Sequence, residues 1–345
     1  MMSRCIRGSL LSNLLPTYSR PLSARWGSQA GSLPAIRYTS SRLHDPPQGH
    51  KPQSPPRPAP SPPSQESDHL ETNAAPASFL GTSKRLPEFN LADRVILVSG
   101  AARGLGLTQA EALLEAGATV YALDRLAEPS SEFERIQARA AKELGTTLHY
   151  RQIDVQDTEK LHAVVKGVAD DTDRLDGLIA AAGIQQETPA LDYTAEDANR
   201  MFAINITGCF MTAQAAAKQM LRFDRGGSIA MIASMSAHIA NRGLICPAYN
   251  ASKAGVLQLA RNLASEWGEY GIRVNTISPG YIVTEMVEDL FRRFPERRQD
   301  WPKQNMLGKV SKPEQYRGAA VFLMSEASSF MTGADLRMDG GHASW

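Results

Sequence analysis

The chain has 345 residues, of which 42% are hydrophobic and 21% charged, with a formal net charge of +1. That balance argues against nucleic acid or an anionic membrane as partner, since either usually shows as a strong basic excess. No apolar run of about 18 residues, the length a spanning helix needs, occurs anywhere. Cys5, Cys209 and Cys246 lie far apart without a CxxC pair or a His cluster, which speaks against a disulfide framework and against a zinc site. Reduced thiols and no bound metal are the expectation.

In chain order, residues 1–45 come first. They carry Arg4, Arg7, Arg20, Arg25, Arg37 and Arg42, many serines, and no acid before Asp45. This is the composition of a mitochondrial transit peptide, and there is no continuous apolar core such as secretion requires. A mitochondrial destination is therefore expected, with a cytoplasmic enzyme carrying an unaddressed tail as the alternative. Residues 46–85 follow as a linker. Nine of the eighteen positions in PPQGHKPQSPPRPAPSPP (46–63) are proline, which favours extended conformations and cannot bury enough apolar surface to offset ordering.

Residues 86–345 alternate short apolar runs with helical patterns. Strands are expected at 95–100, 119–124, 148–154, 177–183, 227–234, 272–278 and 334–341. Helices are expected at 107–117, 131–144, 157–169, 195–222 and 248–270. Such βα alternation implies a doubly wound, Rossmann-type α/β fold: a parallel sheet of about seven strands with helices on both faces. Ligands of such sheets bind outside the carboxyl ends of the strands.

The first strand runs into Ser99-Gly100-Ala101-Ala102-Arg103-Gly104-Leu105-Gly106 and then a helix. Glycines there allow a sharp turn and close approach of a pyrophosphate, which the free N–H groups of the helix N-terminus favour. The spacing is GxxxGxG rather than GxGxxG. Asp124 ends the second strand, where a carboxylate can accept both ribose hydroxyls of NAD and would repel a 2′-phosphate. NAD is the expected cofactor, although Arg103 and Arg125 leave NADP open. Asp154, which closes the third strand, either holds the adenine amine or caps the following helix.

Tyr249 and Lys253 stand one turn apart at the start of a helix, so phenol and ammonium share a face. A free tyrosine, with a pKa of about 10, is a poor base at neutral pH. A neighbouring cation lowers that value and makes proton exchange with an alcohol feasible. Upstream, the fifth strand ends in Ala233-Ser234-Met235-Ser236, where a hydroxyl can donate to a substrate oxygen. Asn205 lies within the long 195–222 helix, where a carboxamide disturbs the hydrogen-bond ladder and can hold a water.

Over about residues 90–345 the sequence resembles the short-chain dehydrogenase/reductase family. The glycine motif matches Gly100, Gly104 and Gly106; YxxxK matches Tyr249 and Lys253; and the family's asparagine matches Asn205. Its proline-glycine after the sixth strand matches Pro279-Gly280, and its serine best matches Ser234, with Ser236 still in play. One departure is Ala180-Ala181-Ala182-Gly183, where the family has NNAG, so bracing of the central sheet must be managed differently.

The resemblance implies that Ser234 polarises a carbonyl while Tyr249 gives or takes the proton. It implies that Lys253 lowers the phenol pKa and binds the nicotinamide ribose, and that Asn205 relays protons through water. It places Gly100, Arg103, Gly104, Leu105, Gly106, Asp124, Asp154, Val155, Ala181, Gly183, Tyr249, Lys253, Pro279, Gly280, Ile282 and Thr284 around NAD(P). It also implies a homodimer or homotetramer. Segment 285–310 is expected to be a lid, with Arg292, Arg293, Arg297 and Arg298 either meeting an anionic substrate or forming an exposed charged face. ASMSAHIAN (233–241), with His238, resembles the sugar-alcohol branch: mannitol, arabinitol, sorbose and xylulose enzymes. A polyol/ketose oxidoreductase is therefore expected. The alternatives are a ketoreductase acting on an acyl thioester or polyketide and, less favoured given the complete set of motif residues, a non-catalytic cofactor-binding scaffold.

Overall fold

The computed structural model describes residues 86–345, so the expected transit peptide (1–45) and linker (46–85) lie outside the described residues. The elements follow as β1 (Val95–Ser99), α1 (Gly104–Glu115), β2 (Thr119–Asp124), α2 (Ser131–Arg139), β3 (Leu148–Gln152) and α3 (Thr158–Thr172). Next come β4 (Gly177–Ala180), α4 (Ala195–Phe202), α5 (Cys209–Arg222), β5 (Gly227–Ile232), α6 (Pro247–Trp267) and β6 (Ile272–Pro279). The chain closes with α7 (Glu285–Arg293), α8 (Glu296–Lys303), α9 (Arg317–Met324) and β7 (Asp335–Met338).

The strands form one seven-stranded parallel sheet in the order β3-β2-β1-β4-β5-β6-β7. Strand order reverses between β1 and β4, and ligands bind at such a switch point. Side chains alternate across the sheet, so each strand feeds two cores. Leu97, Leu178 and Val274 pack with Leu161, Ala213, Met220 and Leu263 on one face. Ile96, Val98, Val120 and Ile179 pack with Leu107, Leu113, Ala320 and Leu323 on the other. Both faces are covered, which explains why these strands read as near-continuous apolar runs.

The expected 195–222 helix is three pieces, with a wide π turn over Ala203–Gly208 between α4 and α5. Asn205 sits in that turn. Several strands are shorter than the apolar runs suggested, because residues such as Gly100, Asp154 and Ala181 leave the ladder to form the rim above it.

Candidate active site

Two glycines make the turn after β1 possible. Gly100 has φ +66°, and a Cβ there would come within 2.8 Å of the Ala182 backbone. A Cβ on Gly106 would lie 2.3 Å from the Gly100 carbonyl oxygen. Gly106 is buried under the turn and keeps α1 close to the sheet, whereas Gly100, Arg103, Gly104 and Leu105 lie on the wall of the cleft above it. The missing NNAG bracing is supplied from β1: the Ser99 hydroxyl accepts the backbone N–H groups of Ala181 and Ala182, both at 3.2 Å. That link ties the ends of β1 and β4 together at the switch point. Sequence reasoning passed over Ser99, although the loss of the asparagine called for some polar partner nearby.

Asp124 faces the cleft and accepts from Ala102 N at 3.1 Å and Leu126 N at 3.2 Å, one bond to each carboxylate oxygen. Asp154 also faces the cleft and accepts from Gln156 N at 3.0 Å. It does not cap α3: Asp157 does, accepting from Lys160 N at 3.1 Å. Val155, Ala181, Gly183, Pro279, Gly280, Ile282 and Thr284 line the same cleft. The Thr284 hydroxyl also caps α7.

At the other end stand Tyr249 and Lys253, both on the cleft wall at the start of α6. Lys253 Nζ donates to the Ile232 carbonyl at 2.8 Å and lies 5.7 Å from the Tyr249 ring centroid. Burial pushes Lys253 down to about 8 and Tyr249 up to about 12, with the adjacent Ser234 hydroxyl pulling the phenol back. Burial thus acts on the phenol in the direction opposite to the lowering expected from Lys253. Withdrawal from water disfavours both charged forms.

Ser234 follows β5 and bonds the Tyr249 hydroxyl, and its Oγ accepts from Ser236 N at 3.1 Å. The Ser236 hydroxyl is instead engaged by Asn241, which donates at 2.5 Å. Of the two serines, Ser234 is thus the one set against the phenol. Asn205 is buried behind the wall rather than on it. Its Oδ1 accepts from Ile184 N at 2.9 Å, and its Nδ2 donates to Ile184 O at 3.0 Å and Ser252 Oγ at 2.9 Å. Its carboxamide is spent on protein partners and braces the loop after β4 against α6.

The cleft, of about 1270 Å³, runs continuously from the glycine turn to Tyr249 and on under α7 and α8. Gln185, Glu187, Arg200 and Arg293 contribute polar groups there; Leu244, Val287, Leu290, Phe294 and Trp301 contribute apolar ones. Tyr281 stacks on Trp301 with ring centroids 3.9 Å apart. Three of the four lid arginines are paired: Arg292 with Asp289, Arg298 with Glu288, and Arg297 with Glu187. His238 is turned from the cleft and bonds Asp335 at 2.9 Å, so it is a satisfied loop residue. Glu187 and Trp301 went unnoticed in the sequence, having no local pattern around them.

Comparison with known proteins agrees with this arrangement. The family described as enoyl-(acyl carrier protein) reductase matches residues 100–343. A short-chain dehydrogenase/reductase notP′ from Aspergillus versicolor is 38% identical over 262 residues, covering 74% of this chain and 89% of that protein. Galactitol 2-dehydrogenase from Rhizobium johnstonii is 38% identical over 259 residues, covering 75% of this chain and 98% of that protein. D-arabinitol 2-dehydrogenase from Candida tropicalis is 31% identical over 279 residues, covering 78% and 99% respectively. Among solved structures, a short-chain type dehydrogenase/reductase from Mycobacterium marinum superposes with a TM-score of 0.70 at 34% identity, covering 75% of this chain and 99% of that one.

Proposed function

Because the chain belongs to the short-chain dehydrogenase/reductase family and is thereby an NAD(P)-dependent oxidoreductase of alcohols and carbonyls, we propose that it interconverts a polyol and its ketose, with NAD preferred. The observation that carries this reading is the convergence of Ser234, Tyr249 and Lys253 at one end of a cleft whose other end is a glycine turn with an acidic edge. The cleft residues fit a dinucleotide. Gly100 and Gly104 let the backbone approach a pyrophosphate at the N-terminus of α1. Asp124 has spent one lone pair of each oxygen on backbone N–H groups, and a carboxylate has about four acceptor positions, so two ribose hydroxyls can still be taken.

When bound, the nicotinamide supplies or accepts the hydride. The protein's own part is to place the substrate and move a proton. Ser234 donates to the substrate oxygen, and Tyr249 gives a proton in ketone reduction or takes one in alcohol oxidation. Lys253, fixed by the Ile232 carbonyl, supports the phenolate when it forms and reaches toward the ribose. A water relay would rest on the carbonyls of the wide turn at Ala203–Gly208, since the Asn205 carboxamide is occupied.

A second reading has support of its own. The stacked Tyr281–Trp301 wall with Leu244 and Leu290 suits a bulkier, less polar ketone. A turnover screen separates the two, using galactitol, arabinitol and their ketoses against aromatic ketones and acyl thioesters, each with NAD and NADP. The polyol reading expects the highest kcat/KM on a polyol/ketose pair, with NAD favoured at least tenfold. Turnover confined to aromatic or thioester substrates would reject it. For location we propose mitochondria, on the arginine-rich, acid-free composition of residues 1–44.

A further inference from the structure

Two residues 110 positions apart meet over the substrate end of the cleft. Glu187, in the loop after β4, accepts from both terminal nitrogens of Arg297 on α8, at 2.8 and 2.9 Å. Neither side chain is fully in water: Arg297 is 16% exposed and Glu187 28%. A two-point guanidinium–carboxylate pair is stronger and more directional than a surface contact. Arg297 is pinned further, its guanidinium 4.5 Å from the Phe294 ring centroid and 5.8 Å from that of Trp301. The loop that carries Glu187 is itself tied down, because Thr188 N donates to Ile245 O at 3.0 Å.

The two partners stand differently toward the cleft. Glu187, Phe294 and Trp301 line it, whereas Arg297 lies behind them. Glu187 therefore borders whatever occupies that end, and its carboxylate keeps lone pairs open after Arg297 has taken one on each oxygen. Hydroxyl groups can donate to it. A carboxylate or phosphate on the substrate has no proton to give and meets a negative edge, while the cation behind is already engaged. The other two arginines of this region, Arg200 and Arg293, are exposed at the rim and are not aimed at this point by any ion pair.

We propose that Glu187 is a specificity-determining residue, held in place by Arg297, that accepts substrate hydroxyls and turns away substrates bearing an anionic group. The same pair fastens α8, and with it the lid, to the loop after β4. This deepens the polyol reading and rests on it for the kind of hydroxyl compound involved, but discrimination between neutral and anionic alcohols can be read on any substrate pair.

The test uses the full-length enzyme with saturating cofactor and four variants: Glu187→Gln, Arg297→Lys, Arg297→Met, and the double exchange Glu187→Arg with Arg297→Glu. Two substrate pairs are compared, a polyol against the aldonate of equal chain length and cyclohexanol against 4-hydroxycyclohexanecarboxylate. Amide hydrogen exchange over residues 285–303 follows the lid in parallel. Glu187→Gln should raise the anionic-to-neutral ratio of kcat/KM at least tenfold in both pairs, by a higher KM for the neutral member and a lower one for the anion. Lid exchange should quicken several-fold in Glu187→Gln and Arg297→Met, stay intermediate in Arg297→Lys, and slow again in the double exchange. An unchanged ratio in Glu187→Gln, or lid exchange equal to that of the unaltered enzyme in every variant, overturns the proposal. If the polyol pair is inert but the cyclohexanol pair responds as stated, the polyol reading falls and the role of Glu187 stands.

Discussion

Tyr249 and Lys253 are driven toward neutrality from opposite sides, the phenol up to about 12 and the ammonium down to about 8. The direction of each shift decides which reaction is ready at neutral pH. A phenol that keeps its proton is poised to donate, so ketone reduction should hold steady from pH 6 to 10, where the phenol stays protonated. Alcohol oxidation needs the proton gone, and that fraction grows about tenfold per pH unit below the pKa. Its kcat/KM should therefore climb from pH 7 to 10, with a shallower slope above about 8, where Lys253 gives up the charge that supports the phenolate. Paired pH–rate profiles in both directions check this, and an oxidation optimum below pH 7 would contradict it. The Tyr-x-x-x-Lys spacing was legible because both residues sit on one helical turn. Burial was not, because nothing in those five letters says that the turn faces inward. The Glu187–Arg297 contact was beyond reach for a related reason: its members share no local pattern, and only the return of α8 over the β4 loop brings them together.

Among the elements, the wide turn at Ala203–Gly208 and the Ser99 hydroxyl show how loops above the sheet are fixed. Asparagine inside an otherwise good helix pointed to a break there, and the break is present, with its carboxamide bonding the Ile184 backbone. Ser99 does for the β1–β4 junction what a carboxamide does elsewhere in the family. Ser99→Ala leaves two backbone N–H groups without that partner, and a buried unsatisfied donor costs about 1–3 kcal/mol. The variant should lose about that much stability in urea unfolding and bind dinucleotide more weakly, since Gly100 and Gly183 flank the same junction. An unchanged unfolding midpoint would mean that the junction is held by something else. Strand positions were readable to within a few residues because buried parallel strands are continuous apolar runs. The ends were overrun where apolar residues continue past the last ladder bond. Helix α9 escaped notice because RGAAVFLM is apolar nearly all round and presents no periodic face.

At the scale of the molecule, one sheet with two cores delivers the carboxyl ends of its strands to a single cleft, and every chemical motif read from the sequence comes from those ends or the helices that follow them. That was legible because strand–helix alternation restricts topology so strongly. The character of the substrate end was not, since it depends on α7 and α8 folding back over the sheet, and charge alone could not say which lid arginines would be paired. Ahead of this domain, the composition of residues 1–44 predicts that a fusion of residues 1–45 to a fluorescent reporter enters mitochondria; a diffuse cytosolic signal would contradict it. Turnover rests on proton transfer at the Tyr249 hydroxyl. Its most direct test is Tyr249→Phe, which removes one oxygen and keeps the ring. Steady-state turnover should fall by at least a thousandfold while NADH binding, followed by fluorescence, stays within about twofold of the unaltered enzyme. Turnover within tenfold of the unaltered enzyme, with binding intact, would show that the proton moves elsewhere.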